Sequence, residues 1–392
     1  MRIIVQKYGG KSVANIERIR KVAEMVVERH IAGEGLVVVV SAMADTTDQL
    51  LNYARMISPN PSERELDMLL TAGERISMAL LSIAIWELGH SAISFTGSQS
   101  GIITDDVHTR ARIIEIRASR IIEEIQRGRI VIVAGFQGVS AKREITTLGR
   151  GGSDTTAVAL ACALGADRCE IYSDVDGLYS ADPKICGDAF HISEIDYETL
   201  FDLAFFGSKI VHQRAIELAR KFDIPILLAS SIKRGKYTMV KSKAMEGATF
   251  SAVSMQPEVL WLSVKMPERR LKPFWNELDS IRTSIRNPSI SVDNGWATIV
   301  FWTLPENSDE IKEILENFDE IEFELEESAL VSISGWGLAE SPEATADIIE
   351  VMQKNSLKFD FIGTTNRSIF LILDRNEAKK TMELIHRELI AK

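Results

Sequence analysis

The chain lacks several features on which common classes of protein depend. Its 392 residues include only three cysteines, Cys162, Cys169 and Cys186, which have no metal-ligand spacing and, being odd in number, cannot all pair within the chain. None of its six histidines falls in a metal or catalytic-triad spacing, and no G-x-S-x-G elbow is present. We therefore expect reduced thiols in a cytoplasmic protein, and neither a metalloenzyme nor a serine hydrolase.

Long apolar runs and basic surface charge are also scarce. The longest apolar run, around residues 78–86, has the length of a buried helix, and the N-terminus shows no signal-peptide cleavage pattern. The net charge is −11, and residues 259–392 hold 15 basic against 24 acidic side chains. Nucleic-acid binding usually leaves a basic footprint, so we expect neither nucleic-acid nor membrane partners.

Strand-like and helical patterns alternate up to about residue 230. Continuous runs such as LVVVV and IVIVA are typical of strands covered on both faces. Asn15 can cap the first helix, and further helices are predicted at 62–88 and 110–127, each followed by a glycine. The alternation predicts an α/β fold, a three-layer αβα sandwich with a mostly parallel sheet.

The pattern changes after a predicted catalytic domain at 1–232. Residues 233–258 are rich in Gly, Ser, Lys and Met and are predicted to be a connector, and five of the six tryptophans follow it. Strand and helix patterns then repeat, which indicates two small α+β modules at 259–327 and 328–392. Each module is too small to be the catalytic body, so we expect an interaction or regulatory role.

The stretch 146–183, TTLGRGGSDTTAVALACALGADRCEIYSDVDGLYSADP, carries the densest chemistry. A glycine-rich loop opens into a helix there, and free backbone N–H groups beside Arg150 would make an anion-binding site. The following strand ends in an acidic loop with Asp174 and Asp182, at the place where open α/β sheets bind ligands. The stretch predicts phosphate chemistry.

Three other motifs each leave two interpretations open. Gly-Lys-Ser at 10–12 imitates the end of a Walker A motif, but Val5 stands where its first glycine belongs. Lys7 before this turn is either a phosphate-binding cation or a solvated lysine. Glu74, among apolar residues of a helix, either pairs with a neighbour or binds a substrate ammonium. Phe136 is either core or the wall of a substrate pocket.

A series of motifs gives the chain a close resemblance to the aspartate kinases, which have the amino-acid kinase fold. In order they are VQKYGGKSVAN, VVVVSAMADTTDQL, LLTAGER, FTGSQSGIITD, VAGFQG, TTLGRGGSDTTA, SDVDGLYSADP and FGSKIVH. TTLGRGGSD together with LLTAGE separates the chain from the related carbamate, acetylglutamate and uridylate kinases. The resemblance covers essentially the whole chain and implies that the two modules are ACT modules of ferredoxin-like βαββαβ order.

The resemblance implies phosphorylation of the β-carboxylate of L-aspartate by ATP and Mg²⁺. The product, 4-phospho-L-aspartate, would begin the route to lysine (through diaminopimelate), threonine and methionine. The ACT region would bind an amino-acid effector, lysine or threonine, and would form a homodimer or a higher homo-oligomer. Two alternatives are the same fold acting on another carboxylate or carbamate, and an amino-acid sensor built on a degenerate kinase scaffold.

The resemblance also assigns roles residue by residue, without naming any protein residue as a metal ligand. The catalytic residues would be Lys7, Arg150, Asp154 and Lys209. Aspartate would be held by Ser41, Thr47, Glu74, Phe136, Arg150, Gly151, Gly152 and Ser153. The nucleotide would contact Lys7, Tyr8, Gly9, Gly10, Ser173, Asp174, Tyr179, Asp182, Lys184 and Lys209.

The chain departs from the family pattern at three places. Lys11 stands where the family has a threonine, and Gln213 where it has a proline. Residues 266–270, MPERR, replace the Pro-Gly turn that opens the first ACT helix in the family. We therefore expect both modules to fold, without assuming that the family's effector carries over.

Overall fold

The computed structural model describes residues 1–242, 249–281 and 285–391, which form two compact units. The first unit comprises Met1–Leu178, His191–Ala204 and residues 209–242. The second comprises Tyr179–Phe190, Phe205–Ser208 and the described residues after 248. A short internal segment of the chain, 179–190, therefore belongs to the unit formed mainly by the C-terminal part.

The elements up to residue 242 follow the predicted alternation. The strands are β1 (Ile3–Tyr8), β2 (Gly35–Val40), β3 (Ala92–Phe95), β4 (Ile102–Thr104), β5 (Ile113–Ile116), β6 (Ile130–Ala134), β7 (Gln137–Ser140), β8 (Ile145–Thr147), β9 (Arg168–Ser173), β10 (Leu178–Tyr179), β11 (His191–Ile192), β12 (Glu194–Ile195), β13 (Ile226–Ser230) and β14 (Tyr237–Val240). The helices are α1 (Ile16–Ile31), α2 (Thr46–Ile57), α3 (Glu63–Glu87), α4 (Ser119–Gln126), α5 (Gly152–Leu164), α6 (Tyr197–Phe205) and α7 (Gln213–Phe222).

The first unit is built on an eight-stranded sheet of order β12-β14-β13-β9-β1-β2-β6-β3. Its central neighbours β13, β9, β1, β2 and β6 are parallel, and every residue of β2 and of β6 is buried. Helices cover both faces of such strands, which explains why their sequences are apolar throughout. The predicted α/β class with a mostly parallel sheet is confirmed.

Helices α1 and α3 pack against each other in the first unit. The side chain of Asn15 caps α1 by accepting from Arg18 N at 2.9 Å, as predicted. Helix α3 is long and apolar enough to cross a membrane by length and composition alone. It packs in the first unit against α1, α2 and β8 and buries Asp67 and Glu74, while Ile76, Ile83 and Trp86 on the same helix are exposed.

The helix predicted at 110–127 is wrong in its first half. Residues Ile113–Ile116 form β5, which pairs antiparallel with β4 in a four-stranded sheet of order β5-β4-β7-β8, and α4 begins only at Ser119. The run IIEI is a half-exposed edge strand, and its isoleucines also fit a helical period. Pairing with β4 decides between the two.

The second unit contains a six-stranded antiparallel sheet of order β16-β17-β15-β18-β20-β19. Its strands are β15 (Thr249–Pro267), β16 (Arg286–Asp293), β17 (Trp296–Thr303), β18 (Glu322–Trp336), β19 (Phe361–Thr364) and β20 (Ser368–Leu373). Its helices are α8 (Leu271–Ser280), α9 (Ser308–Asn317), α10 (Pro342–Lys354) and α11 (Ala378–Ile385), which continues as a π-helical turn, His386–Ile390.

The two long strands β15 and β18 each take part in two modules. The first module consists of the second half of β15, α8, β16, β17, α9 and the start of β18. The second consists of the end of β18, α10, β19, β20 and α11, and its fourth strand is the first half of β15, residues 249–256, which pairs with Leu330–Trp336. Both modules thus show the expected ferredoxin-like strand order.

The predicted connector at 233–258 is therefore wrong over most of its described length. Residues Tyr237–Val240 form β14 of the large sheet, and Thr249 begins β15. The abundance of Gly, Ser and Lys in the segment hid both strands, although Val240, Ala252 and Val253 are buried. Residues 243–248 of that connector, 282–284 of the first predicted module and 392 of the second lie outside the described residues.

Candidate active site

A buried ion pair joins the end of β1 to the first turn of α5. Lys7 Nζ lies 2.7 Å from Asp154 Oδ1, and the two side chains are only 13% and 11% exposed. The other carboxylate oxygen, Oδ2, accepts from the backbone N–H of His212 at 3.2 Å, just before α7 begins. The pair fixes the lysine amine at the carboxyl end of the parallel strands, where ligands bind in open α/β sheets.

The Gly9-Gly10 turn after β1 is shaped by close packing. A side-chain carbon at Gly10 would lie 2.9 Å from the Ala42 carbonyl oxygen, so the turn tolerates only glycine. The Gly10 carbonyl accepts from Ala44 N at 3.1 Å, which ties the turn to the loop after β2. Gly9 lies against the Lys7 amine, since a side-chain carbon there would be 3.4 Å from Nζ. The turn therefore places backbone atoms, with no side chain, next to the Lys7 ammonium.

Tyr8 differs from its neighbours in this turn. Its ring is fully buried and stacks on Tyr172 with 4.9 Å between ring centroids. Residues alternate between the two faces of a strand, so the ring lies on the opposite face of the sheet from Lys7. Any contribution of Tyr8 to a nucleotide site would come from its backbone.

Glu74 is a buried carboxylate with an unfilled hydrogen-bonding position. It is 4% exposed in α3, and its Oε1 accepts from Ala42 N at 3.2 Å. Its Oε2 is buried and has no hydrogen-bond donor among the described residues. Burial raises the pKa of this carboxyl to about 7, although the Ala42 N–H lowers it in part. An ammonium group would supply the missing donor and favour the ionised form.

Three glycines permit close approaches around the start of α5. Gly151 has φ +68°, and a side-chain carbon there would lie 2.0 Å from the His212 ring. A carbon at Gly152 would lie 2.6 Å from the Phe136 ring, and one at Gly135 would lie 2.7 Å from Ser153 Oγ. The loop, Phe136 and Ser153 are thereby brought together at the N-terminus of α5. Backbone N–H groups at such a terminus favour anions.

Phe136 adopts a backbone conformation that is rare for its residue type. Its φ is +95°, and its N–H donates to Thr156 Oγ1 at 3.2 Å on the second turn of α5. Strained conformations of this kind persist where surrounding contacts enforce them and are concentrated at functional sites. The half-buried ring of Phe136 lies against Gly152, which fits the predicted pocket wall.

The other residues predicted to hold aspartate fall on neighbouring loops. Ser41 directly follows β2 and donates its N–H to the Tyr8 carbonyl at 3.1 Å. Thr47 lies in the first turn of α2 and is half-buried. Arg150 is exposed in the glycine-rich loop. Strand β2, whose end carries Ser41, pairs with β1 up to Tyr8, so these loops share one edge of the sheet.

The predicted nucleotide residues are divided between the two units. Ser173 and Asp174 follow β9 in the first unit, where Ser173 Oγ accepts from Val175 N at 3.2 Å and Asp174 pairs with Lys11 Nζ at 2.9 Å. Lys209 is exposed at the start of the first unit's last stretch. Tyr179, Asp182 and Lys184 belong to the second unit.

Sequence reasoning overlooked Asp67, which organises the loop before β5 and the end of β8. Asp67 is fully buried in α3 and accepts from Thr147 Oγ1 at 2.6 Å and from Thr109 N at 3.0 Å. It also contacts His108 Nδ1 at 2.6 Å. Asp67 lies two helical turns before Glu74. The sequence signal that could have identified it is this second carboxylate on the same face of an apolar helix.

A separate cavity of about 260 Å³ opens on the face of the sheet that carries the Tyr8 ring. Glu170 lies in its wall, 0% exposed, and is held by Gln6, Arg168 and Arg29. Except for Tyr8, none of the predicted site residues lines it. The candidate active site is thus the edge that carries Lys7, Glu74 and Asp154.

Comparison with known proteins gives consistent matches. The model of the amino acid kinase family matches residues 2–230. The aspartokinase of Mycolicibacterium smegmatis is 41% identical over 404 residues, covering 98% of this chain and 96% of that protein.

Two solved structures of Escherichia coli aspartokinase III resemble the fold. One, in complex with aspartate and ADP, has a TM-score of 0.83 at 24% identity and covers 99% of this chain and 100% of the other. The second, in complex with lysine and aspartate, has a TM-score of 0.75 at 24% identity and covers 99% of each chain.

Proposed function

The chain belongs to the amino acid kinase family, among its aspartokinases, and we propose that it transfers a phosphoryl group from ATP to the β-carboxylate of L-aspartate. The observation that carries the assignment to the site is Glu74, a buried carboxylate with one oxygen that lacks a donor. An α-amino acid brings an ammonium to that oxygen. An acceptor without an amino group would leave that oxygen without a partner.

We assign the remaining aspartate contacts to the loops around Glu74. The Arg150 guanidinium can bind a carboxylate with two parallel hydrogen bonds. Ser41, Thr47, Ser153 and the N–H groups of Gly151 and Gly152 supply further polar contacts. The Phe136 ring closes the apolar side of the pocket, a role that its contact with Gly152 supports.

The transfer itself requires positioning and charge neutralisation more than proton transfer. The β-carboxylate has an ordinary pKa of about 3.9, so it is already ionised at neutral pH and needs no general base. Repulsion between this carboxylate and the γ-phosphate is the obstacle. Lys7, the Gly9 and Gly10 backbone and Lys209 would stabilise the charge that spreads over the phosphoryl oxygens, while Asp154 keeps the Lys7 amine in place.

We propose that the nucleotide contacts Ser173, Asp174, Tyr179, Asp182 and Lys184 in addition to the glycine turn. Among the described residues, no group of three or more His, Cys, Asp or Glu side chains is arranged so that it could hold a metal ion. We propose that a Mg²⁺ ion is held mainly by the phosphates and water, as is common for nucleotide-bound Mg²⁺. The ion would neutralise phosphate charge during transfer.

For the second unit we propose an effector-binding and assembly role. Its two ferredoxin-like modules share one sheet, and the structural relative with lysine bound supports an amino-acid effector. Four finer expectations are part of this proposal. They are lysine or threonine as effector, a homodimer, a cytoplasmic location, and a place before lysine, threonine and methionine synthesis. Calorimetric titration of the full chain with each amino acid tests the first of them.

The activity is tested by trapping the acyl phosphate. Incubation with ATP, Mg²⁺, aspartate and hydroxylamine should yield aspartyl hydroxamate, with no product from succinate, which lacks the amino group. Glu74→Gln should lower kcat/KM for aspartate by about tenfold or more because the ammonium loses its counter-charge. Product from glutamate and none from aspartate would refute the assignment.

A further inference from the structure

Residues Tyr179–Phe190 are packed as part of the second unit although the chain on either side belongs to the first. Ala181 and Cys186 are 4% and 2% exposed and lie in the hydrophobic core of the second module, together with Met382 and Ile385 of α11. The Ser180 carbonyl accepts from Val253 N of β15 at 2.8 Å. We call residues 179–190 the inserted segment.

A chain of side-chain hydrogen bonds ties the inserted segment to the last helix. Ser180 Oγ lies 2.8 Å from His386 Nε2, and Asp188 Oδ1 lies 2.9 Å from His386 Nδ1. Ser180 Oγ also accepts from Phe190 N at 3.0 Å, so its own proton is available to donate to Nε2. Nδ1 then donates to Asp188. All polar atoms of this buried imidazole have partners, and the two ends of the inserted segment meet on it.

Ser180, His386 and Asp188 have the composition of a catalytic triad, but not the access that one needs. Ser180 and His386 are both 0% exposed. A nucleophilic serine must reach a substrate carbonyl. The cluster therefore has a structural role, and it stabilises a particular segment of the chain.

The inserted segment carries three residues of the proposed nucleotide site, Tyr179, Asp182 and Lys184. Its turn is closed by Asp182, whose side chain accepts from Lys184 N at 2.9 Å and whose carbonyl accepts from Cys186 N at 2.9 Å. The turn begins two residues after Ser180 and ends two residues before Asp188. The bonds to His386 therefore fix both ends of the turn that presents Asp182 and Lys184.

We propose that His386 is a positioning residue for ATP binding, which acts by holding the inserted segment on the last helix of the second module. The inference rests on the proposed function, since that is what makes Asp182 and Lys184 nucleotide contacts. The proposal also predicts how regulation acts. A structural change in the second module should alter nucleotide binding more than aspartate binding. The aspartate contacts proposed above all lie in the first unit.

The test compares His386→Asn with Val351→Ala in the full chain. Asparagine can keep the donor toward Asp188 but cannot reach Ser180. Val351 is 4% exposed in the same core, on α10, so its truncation destabilises the second module without removing a bond to the inserted segment. We expect His386→Asn to raise KM for ATP and the calorimetric Kd for MgADP about fivefold to tenfold, with KM for aspartate within about twofold. Val351→Ala should change none of the three.

Two milder variants cover a failure of His386→Asn to fold. His386→Gln, whose amide reaches the Nε2 position, should recover part of the MgADP affinity, and Ser180→Ala should weaken that affinity in the same direction as His386→Asn. Equal MgADP affinities in these variants and Val351→Ala would overturn the proposal, as would parallel losses for ATP and aspartate. If the unmodified protein made no aspartyl hydroxamate while His386→Asn still weakened MgADP binding, the proposed function would fail and this inference would stand.

Discussion

At the scale of single residues, Glu74 shows a conflict between stability and binding. Burial raises the pKa of its carboxyl from 4.5 to about 7, so the folded protein holds a proton that the unfolded chain releases between these values. A raised carboxyl pKa gives stability that is fully present below the unfolded value and is lost as the pH rises through about 7. The cost of ionising Glu74 in the folded protein is then roughly 3 kcal/mol.

Glu74→Gln should therefore stabilise the substrate-free protein at pH 8 but not at pH 5. Glutamine has nearly the same shape and no charge to desolvate. We expect the free energy of unfolding, measured with urea, to rise by about 1–3 kcal/mol at pH 8. Glu87→Gln, at the exposed end of the same helix, should change it at neither pH. Equal stability of Glu74→Gln and the unmodified protein at both pH values would contradict the raised pKa.

The same titration should appear in aspartate binding. In the proposed site only the ionised form of Glu74 attracts the substrate ammonium, so KM for aspartate should fall by about tenfold between pH 6 and pH 8. KM for ATP should stay flat over this range. In Glu74→Gln, KM for aspartate should be high and independent of pH. A profile for that variant that still changed near pH 7 would assign the titration to another group.

Lys7 and Lys11 form a matched pair of lysines in one turn. Lys7 is largely buried against Asp154, whereas the side chains of Lys11 and its partner Asp174 are 76% and 40% exposed. Lys7→Ala should lower kcat by about 10² or more, because the proposed site loses its fixed cation at the phosphoryl group. Lys11→Ala should leave kcat within about threefold, since an exposed ion pair contributes little. Steady-state kinetics with both variants checks this, and similar losses in the two would disprove the distinction.

At the scale of elements, the start of α5 depends on a close approach that only glycine permits. Gly151 and Gly165, at the two ends of α5, both have positive φ, +68° and +56°. A side-chain carbon at Gly151 would overlap His212, whose N–H holds Asp154, whereas one at Gly165 would meet nothing within 4 Å.

Gly151→Ala should therefore lower activity strongly, and Gly165→Ala should not. Both substitutions impose at least about 1 kcal/mol of backbone strain. Thermal unfolding should therefore show that each variant loses at least that much stability. Only Gly151→Ala should displace His212 and lower kcat by about 10² or more. Full activity in Gly151→Ala would show that the contact between the glycine loop and His212 does not support Asp154.

The elements that the sequence predicts well are those with one dominant signal. Strands β2 and β6 are unbroken apolar runs, and Asn15 caps α1 as expected. Strand β5 could not be predicted because its isoleucines fit two periods and only the partner strand chooses between them. The first half of β15 is similar: its residues gain their buried environment from β18, some 80 residues later in the sequence.

Within the candidate site, motif resemblance singled out Lys7, Glu74 and Asp154, and the structure brings Lys7 and Asp154 into contact. It could not reveal that the Tyr8 ring is buried, because alternation along β1 decides that. It also could not assign the inserted segment to the second unit. That depends on Ala181 and Cys186 filling a core made by the last helix.

At the scale of the molecule, the second module is discontinuous in sequence. Its fourth strand, residues 249–256, precedes the whole first module. A chain of residues 328–391 therefore lacks an edge strand that buries Ala252 and Val253 and pairs with Leu330–Trp336. Boundaries drawn at the start of β18 cut through a hydrophobic core.

We expect a fragment of residues 328–391 to be unfolded. A fragment of residues 249–391 regains the edge strand, although it lacks Ala181 and Cys186 of the same core, and should unfold cooperatively at a lower temperature than the second unit of the full chain. The shorter fragment exposes both the apolar face and the free edge of β18. Circular dichroism with thermal melting distinguishes the two fragments. Adding a synthetic peptide of residues 249–256 to the shorter fragment should restore some structure, and cooperative melting without the peptide would contradict the shared-strand arrangement.

The shared strands also mean that the first module can be removed by a single internal cut. In the antiparallel ladder of β15 and β18, Gln256 stands opposite Leu330. Joining these two positions through Asn-Gly would turn the crossing strands into an ordinary hairpin and delete everything between them. The remaining C-terminal part would be an uninterrupted ββαββα chain that begins with its own edge strand. An engineer could thus obtain a compact single-module variant of this enzyme without creating a new chain end.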